Sequence, residues 1–393
     1  MAKDWKTRDW KTRLIHTDTS VPEGFRSLAV PVYRGSTVVF PDSASTHTDW
    51  NQEEFGYAYG LHGTPTTLGL AARIAELEGG TRTLLTPSGL AAIGLVDLAF
   101  LSAGSHVLIP ENAYSPNRIL AAKLLRRFGI EASLYPSEVG AAIAEHFRPN
   151  THLVWTESPG SITMEIQDVP AICAAAHERG IPVALDNTWS AGVLFPAFDH
   201  GVDVSVQAAT KYIGGHSDLL LGSVTVRDHA HFDKLGEVRA RLGLAVSPDD
   251  CSLALRGLTT LAVRLKHVEQ SALEIARWLA ARPEVQTVLH PALDGCPGHE
   301  LWQRDFSGSS GLFSLVLTPE FSGQQVRAFV DALALFQIGY SWGGVASLAV
   351  AYDMSHVRSR TNYGDRIVRL NIGLESTADL IADLAQGLAV MRG

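Results

Sequence analysis

Few cysteines, no long apolar run and little net charge set the first limits on this 393-residue chain. The three cysteines, Cys173, Cys251 and Cys296, are odd in number and far apart. Their spacing excludes a disulfide framework and a zinc site, and it fits reduced thiols in the cytoplasm. No uninterrupted apolar stretch reaches the ~20 residues that cross a bilayer. The N-terminus is polar and lacks the apolar segment of a signal peptide, so a cytoplasmic protein is expected. A net charge of −9 is modest and argues against general nucleic-acid binding. What is present suits a soluble enzyme: 46% hydrophobic and 19% charged residues, in a chain long enough for two domains. No low-complexity linker separates those domains, so they should pack closely.

The first sixty residues are irregular, with Pro22, Pro31 and Pro41 spread among many Ser and Thr. They read as an extended arm of the kind that packs on a neighbouring subunit. The arm opens on a tandem repeat, Asp4-Trp5-Lys6-Thr7-Arg8 followed by Asp9-Trp10-Lys11-Thr12-Arg13. Five residues are too few for a solenoid unit. A coding duplication is the plain reading and a partner-binding arm the sharper one.

From about Thr66 to Arg256, strands alternate with helices. Helices are predicted over Leu68 to Leu77, ending at Gly79-Gly80, then from Ser88-Gly89 to Leu101, near Ile119 to Phe128, and over Val169 to Glu178. Apolar runs at Val107 to Ile109, Leu153 to Trp155, Val183 to Leu185 and Val204 to Val206 read as strands. The alternation implies an α/β fold with a mostly parallel sheet covered on both faces, and ligands at the carboxyl ends of its strands. A long helix, Leu258 to Ala281, leads to a smaller α+β part. There, strands are expected at Leu312 to Leu317 and Val368 to Ile372, and helices near Gln324 to Leu333 and Ala378 to Val390. The expected division is an arm over 1–62, a large domain over 63–257 and a C-terminal domain over 258–393.

The richest signal is Asp186, at the end of one strand, followed by Lys211 in Gln207-Ala208-Ala209-Thr210-Lys211-Tyr212 beyond another. The pair suggests a site for pyridoxal phosphate. A lysine desolvated by burial attacks the cofactor aldehyde as a free amine, and a carboxylate holds the ring nitrogen protonated so that the ring accepts electrons. A lone lysine behind a strand is ordinarily a surface residue, so the neighbours decide. Ser88-Gly89-Leu90 opens a helix, where free amides and the helix dipole favour a phosphate, although Ser-Gly is also ordinary helix-start chemistry. Thr210 could add a donor. Tyr114 could stack on the ring, or be a half-buried aromatic only. Arg369 offers a fork for an amino-acid carboxylate, or a salt bridge to a protein carboxylate. Tyr340-Ser341-Trp342-Gly343-Gly344 could wall the substrate pocket, or form a packed corner. No metal-ligand set is predicted.

With these motifs and with Glu157-Ser158-Pro159-Gly160-Ser161-Ile162-Thr163-Met164-Glu165 and Gly308-Ser309-Ser310-Gly311-Leu312-Phe313, the chain resembles the Cys/Met-metabolism family of pyridoxal-phosphate enzymes from about Leu14 onward. It is most similar to the bacterial cystathionine β-lyases of that family, because Trp342 follows Ser341 where γ-lyases and γ-synthases usually read Leu. The resemblance implies the fold of the aspartate aminotransferase type (fold type I). It implies cofactor bound covalently to Lys211, which also carries protons, with Asp186 at the pyridine nitrogen and Tyr114 on the ring. Gly89, Leu90 and Thr210 would hold the phosphate, and Tyr59 would reach the phosphate of a neighbouring subunit. Arg369, with Ser341 and Trp342, would bind the substrate carboxylate. It further implies a homotetramer, built as a dimer of dimers, that cleaves L-cystathionine to L-homocysteine, pyruvate and ammonia. A γ-lyase or γ-synthase, a broad lyase of S-substituted cysteines, and a non-catalytic regulatory relative are the alternatives. Two departures stand out. Leu61 occupies the place of an expected phosphate-binding arginine, for which His62 is a partial substitute, and Ala346 stands where many relatives carry Glu.

Overall fold

The computed structural model describes residues 9–16, 24, 27–355 and 363–392; the first copy of the repeated pentapeptide lies outside them. The second copy is ordered. Asp9 caps a short helix, α1 (Trp10–Ile15), by accepting from the Lys11 N–H. Trp10 and Leu14 then pack against the body of the protein, and Arg13 pairs with Glu76. A second short helix, α2 (Gln52–Phe55), precedes the first long one. The arm is therefore less irregular than its composition implies, because one turn of helix suffices to bury Leu14.

The next segment runs α3 (Pro65–Glu78), β1 (Arg82–Thr86), α4 (Gly89–Phe100), β2 (His106–Pro110), α5 (Ser115–Lys123), β3 (Glu131–Tyr135), β4 (Thr151–Glu157), α6 (Val169–His177), β5 (Val183–Asp186), β6 (Val204–Gln207), β7 (Gly222–Val226) and α7 (His229–Leu242). The seven strands form one sheet in the order β1-β7-β6-β5-β4-β2-β3. Only β7 runs against its neighbours; the other adjacent pairs are parallel. Strand alternation divides the core. Val107, Trp155, Ala184 and Val204 face α4, whereas Leu108, Val154, Val183 and Leu185 face α6. Both faces are covered, so the central strands read as continuous apolar runs. Three strands of this sheet were not anticipated. β3 is a largely exposed edge strand, and β1 and β7 are short and threonine-bearing, so none shows a long apolar signature. The helix expected to reach Phe128 ends at Lys123. The chain tightens into a 3-10 turn over Leu125–Phe128 and stops at left-handed Gly129.

The rest comprises α8 (Pro248–Ala280), β8 (Val285–Leu289), α9 (His299–Asp305), β9 (Leu312–Leu317), α10 (Gly323–Asp331), β10 (Gln337–Ile338), β11 (Leu348–Tyr352), β12 (Ile367–Asn371) and α11 (Thr377–Arg392). Helix α8 begins at Pro248 because Ser247 caps it and Asp249 and Asp250 fill its first turn. The division expected at 257/258 falls inside this continuous helix. The second sheet has the order β10-β11-β12-β9-β8. Val368 and Leu370 on β12 pack under α10 and α11. Ile367, on the opposite face, joins the core of the first half. Arg369 shares that face by alternation and so points toward the cleft between the sheets. Among the described residues, no helix is long and apolar enough to cross a membrane.

One buried acid ties α4 to the sheet. Trp155 Nε1 donates to Asp97 Oδ1 at 2.8 Å. Burial raises the Asp97 pKa to about 7, and the Trp155 hydrogen bond opposes the rise. The folded state therefore keeps a proton that the unfolded chain releases near pH ~4, so the stabilisation is full below that pH and is lost as pH climbs through about 7. Asp97→Asn should flatten this dependence, so that urea midpoints of wild type fall between pH 5 and 8 while those of the variant change little. Parallel pH profiles of the two proteins would count against it.

Candidate active site

The parallel sheet brings five loops to one edge. Beyond β1 lies Ser88, beyond β2 Tyr114, at the end of β4 Glu157, at the end of β5 Asp186, and beyond β6 Lys211. Together with Arg369, Tyr340 and Trp342 from the second half they line a cavity of about 210 Å³. Every predicted site residue lines it except Tyr59 and Ser341. Ser341 nonetheless contacts the central amine. Tyr59 is half exposed and pairs with Thr37 in an isolated β-bridge.

Lys211 Nζ donates to Ser341 Oγ at 2.8 Å and lies 5.7 Å from the centre of the Trp342 ring. Burial pushes its pKa down to about 8, the Arg369 charge adds to the fall, and Asp186 opposes it. The amine is thus readily freed for attack on a carbonyl. Asp186 is half-buried at the cavity wall, and burial raises its pKa against the pull of Thr188 and Lys211. Thr188 donates to its Oδ1 from both the backbone (3.1 Å) and the hydroxyl (2.5 Å). Asp186 Oδ2 accepts no hydrogen bond among the described residues, so a cationic ring nitrogen placed there would relieve its desolvation. Thr188 Oγ1 also accepts from the Ala208 N–H at 2.9 Å, which ties the strand bearing the acid to the loop bearing the lysine.

Ser88 caps α4 by accepting from Ala91 N–H. The Gly89 and Leu90 N–H groups then have no acceptor among the described residues. A Cβ at Gly89 would sit 2.6 Å from the Ala208 Cβ, so only glycine lets the helix start approach this loop. The result is an anion cradle at a helix N-terminus. Thr210 lines the cavity, but its hydroxyl donates to Leu221 O, so that donor is already engaged. Burial and then the Arg239 charge lower the pKa of His62, which disfavours its cationic form. Ala346 is exposed, and the carboxylate that satisfies Ser347 comes from Glu375.

Among the described residues Arg369 makes no salt bridge of the kind that the sequence left open. Its Nη2 donates to Tyr340 O at 2.8 Å. Asn371, two residues on and on the same face, accepts from Gly343 N–H and donates to Ala346 O, which fixes the loop carrying Ser341 and Trp342. A Cβ at Gly343 (φ +78°) would meet the Lys211 backbone at 3.0 Å, so the loop lies directly on the lysine. Glu157 pairs with Asp186 across β4 and β5, and its Oε2 accepts from Tyr114 N–H at 2.6 Å. Sequence reasoning missed Glu157, Thr188 and Asn371 as site residues. The only signal for them was their place at strand ends or one turn of alternation from Arg369.

The profile of the Cys/Met metabolism PLP-dependent enzymes matches residues 11–389. The chain belongs to this family. It is 46% identical over 382 residues to a putative cystathionine beta-lyase of Rhizobium johnstonii, covering 96% of this chain and 95% of that one. It is 41% identical over 387 residues to cystathionine beta-lyase MetC of Escherichia coli, covering 96% and 98%. The crystal structure of cystathionine gamma synthase from Xanthomonas oryzae pv. oryzae superposes with a TM-score of 0.90 at 31% identity, covering 98% of this chain and 99% of that one. The fold is that of the pyridoxal-phosphate transferases, and the family acts on amino acids. The uncommitted Asp186 oxygen, the depressed Lys211 amine and the Gly89 cradle fit pyridoxal phosphate at its ring nitrogen, aldehyde and phosphate.

The rate at which apoprotein takes up pyridoxal phosphate should rise with pH and be half-maximal near 8, where Lys211 loses its proton. Stopped-flow absorbance at a series of pH values reads this directly. A pH-independent rate would show that Lys211 deprotonation does not limit capture.

Proposed function

We propose that this protein is a carbon–sulfur β-lyase that cleaves L-cystathionine to L-homocysteine, pyruvate and ammonia. The observation that carries the reading is the cavity that gathers Lys211, Asp186, Arg369 and Trp342, with the Lys211 amine 5.7 Å from the Trp342 ring centre. The names of the similar proteins support the same activity. Bound pyridoxal phosphate supplies a sink for the negative charge left at the substrate Cα. The chain supplies the rest. Arg369 holds the α-carboxylate, its positive charge free of carboxylates among the described residues. Lys211 Nζ, oriented by Ser341 Oγ, takes the Cα proton. Asp186 would hold the pyridine nitrogen protonated and Tyr114 would stack on the ring, with the Tyr114 backbone pinned by Glu157. The Cβ–S bond then breaks, the thiol departs as homocysteine, and water converts the remaining unsaturated amine to pyruvate and ammonia.

A broader range of S-substituted cysteines is a second reading. It is favoured by the apolar side of the cavity, formed by Leu90, Ile93, Ile162, Met164 and Leu220. A γ-elimination enzyme on the same scaffold would release 2-oxobutyrate in place of pyruvate. A non-catalytic relative would stay colourless when cofactor is supplied. We also take the protein to be a cytoplasmic homotetramer, with 1–62 as an arm to the neighbouring subunit, 63–257 as the cofactor-holding unit and 258–393 as the unit presenting Arg369. Tyr59 and Leu61, absent from their own cavity, would serve the neighbouring one.

Incubation with L-cystathionine should yield pyruvate by mass spectrometry, and Lys211→Ala should abolish it together with the visible absorption band. 2-Oxobutyrate as the main acid, or a working Ala variant, would sink this assignment. Leu61→Arg should slow cofactor release by roughly tenfold, within the 1–3 kcal/mol of a charged hydrogen bond. Release at the wild-type rate or faster, followed by dialysis and absorbance, would contradict the role of that position at the phosphate.

A further inference from the structure

We propose that Tyr352 is a positioning residue that sets the plane of the Arg369 guanidinium for the substrate carboxylate. The inference rests on Arg369 being the carboxylate site. The two residues meet because of strand register. β11 and β12 are antiparallel, with Val350 opposite Arg369 and Tyr352 opposite Ile367. Tyr352 is therefore the diagonal neighbour of Arg369 on the cleft-facing side, within reach of a long side chain. The Arg369 Cζ lies 5.3 Å from the Tyr352 ring centre. Tyr340 meets that ring edge-on, with centroids 6.2 Å apart and planes at 62°, and its carbonyl holds Arg369 Nη2 at 2.8 Å.

Arg369 is thus fixed on one face by a ring and on one edge by a carbonyl, and the remaining donors of its fork are left for a carboxylate. It is only 7% exposed and has no carboxylate partner among the described residues, so the tyrosine ring faces provide its electrostatic compensation. Tyr352 does not line the cavity, so it acts on substrate through Arg369 alone. Its hydroxyl makes no hydrogen bond among the described residues. The ring face is the working part, and phenylalanine should replace it.

The test is steady-state β-elimination by the holoenzyme with an S-substituted L-cysteine. Tyr352→Leu should raise KM roughly tenfold, the size of a desolvated cation–π contact, with kcat within about twofold. Tyr352→Phe should restore the wild-type KM. If the Leu variant misfolds, Tyr352→Gln, similar in reach but without a ring face, should show the same KM rise. In an Arg369→Ala background, already raised in KM, the Tyr352→Leu change should add nothing. A wild-type KM in both ring-less variants, failure of the Phe rescue, or an undiminished further loss in the Ala background overturns the positioning role. An Arg369→Ala enzyme with unchanged KM overturns instead the carboxylate reading beneath it.

Discussion

Desolvation of one lysine amine is the constraint that the site answers to. Lys211 is useful as a nucleophile and proton carrier only if its ammonium form is disfavoured, and burial with a nearby guanidinium achieves that. The same burial would isolate the amine if it were complete. The two sheets resolve the conflict by meeting at the lysine. The first sheet carries Lys211 on the loop after β6, and the second sends down Ser341 and Trp342. The glycine at 343 lets that second loop rest on the lysine backbone. The contact that orients the amine therefore joins the two halves of the chain.

Around this point the polar groups fall into a graded order of commitment. Asp186 has one oxygen engaged by Thr188 and one uncommitted among the described residues. Arg369 has one edge engaged by Tyr340 and a fork left over. The α4 start has two donors unused among the described residues after Ser88 has capped the third. Each group is held firmly by part of its bonding capacity and presents the remainder to the cavity. Such partial satisfaction costs stability in a sealed core, which is why these groups cluster where a ligand can complete them.

Much of this was legible beforehand. Asp186 and Lys211 were readable because each follows a fully buried strand, whose apolar run announces itself, and because ligands gather at the carboxyl ends of parallel strands. Helix α4 and its Ser88 cap were readable from local chemistry. Strands β1, β3 and β7 were not, because threonine-bearing or half-exposed segments lack the apolar run. Glu157, Thr188, Asn371 and Tyr352 were not, because their roles come from neighbours 43, 20, 28 and 17 positions away or from strand register. The lowered pKa of His62 was not legible either, since it comes from burial and from the charge of Arg239, far along the chain.

By itself, the sequence determined the alternation of strands and helices, the family, and the chemistry of the central acid and lysine. The alternation follows from local periodicity, the family from the resemblance of its motifs, and the chemistry from residue types that few other reactions require. Only the tertiary structure decided which groups are electrostatically committed. Long-range packing determines which charges lose water and which donors find acceptors. It left Arg369 without a carboxylate beside it among the described residues, withdrew Thr210 to Leu221 and placed Ser341 against Lys211.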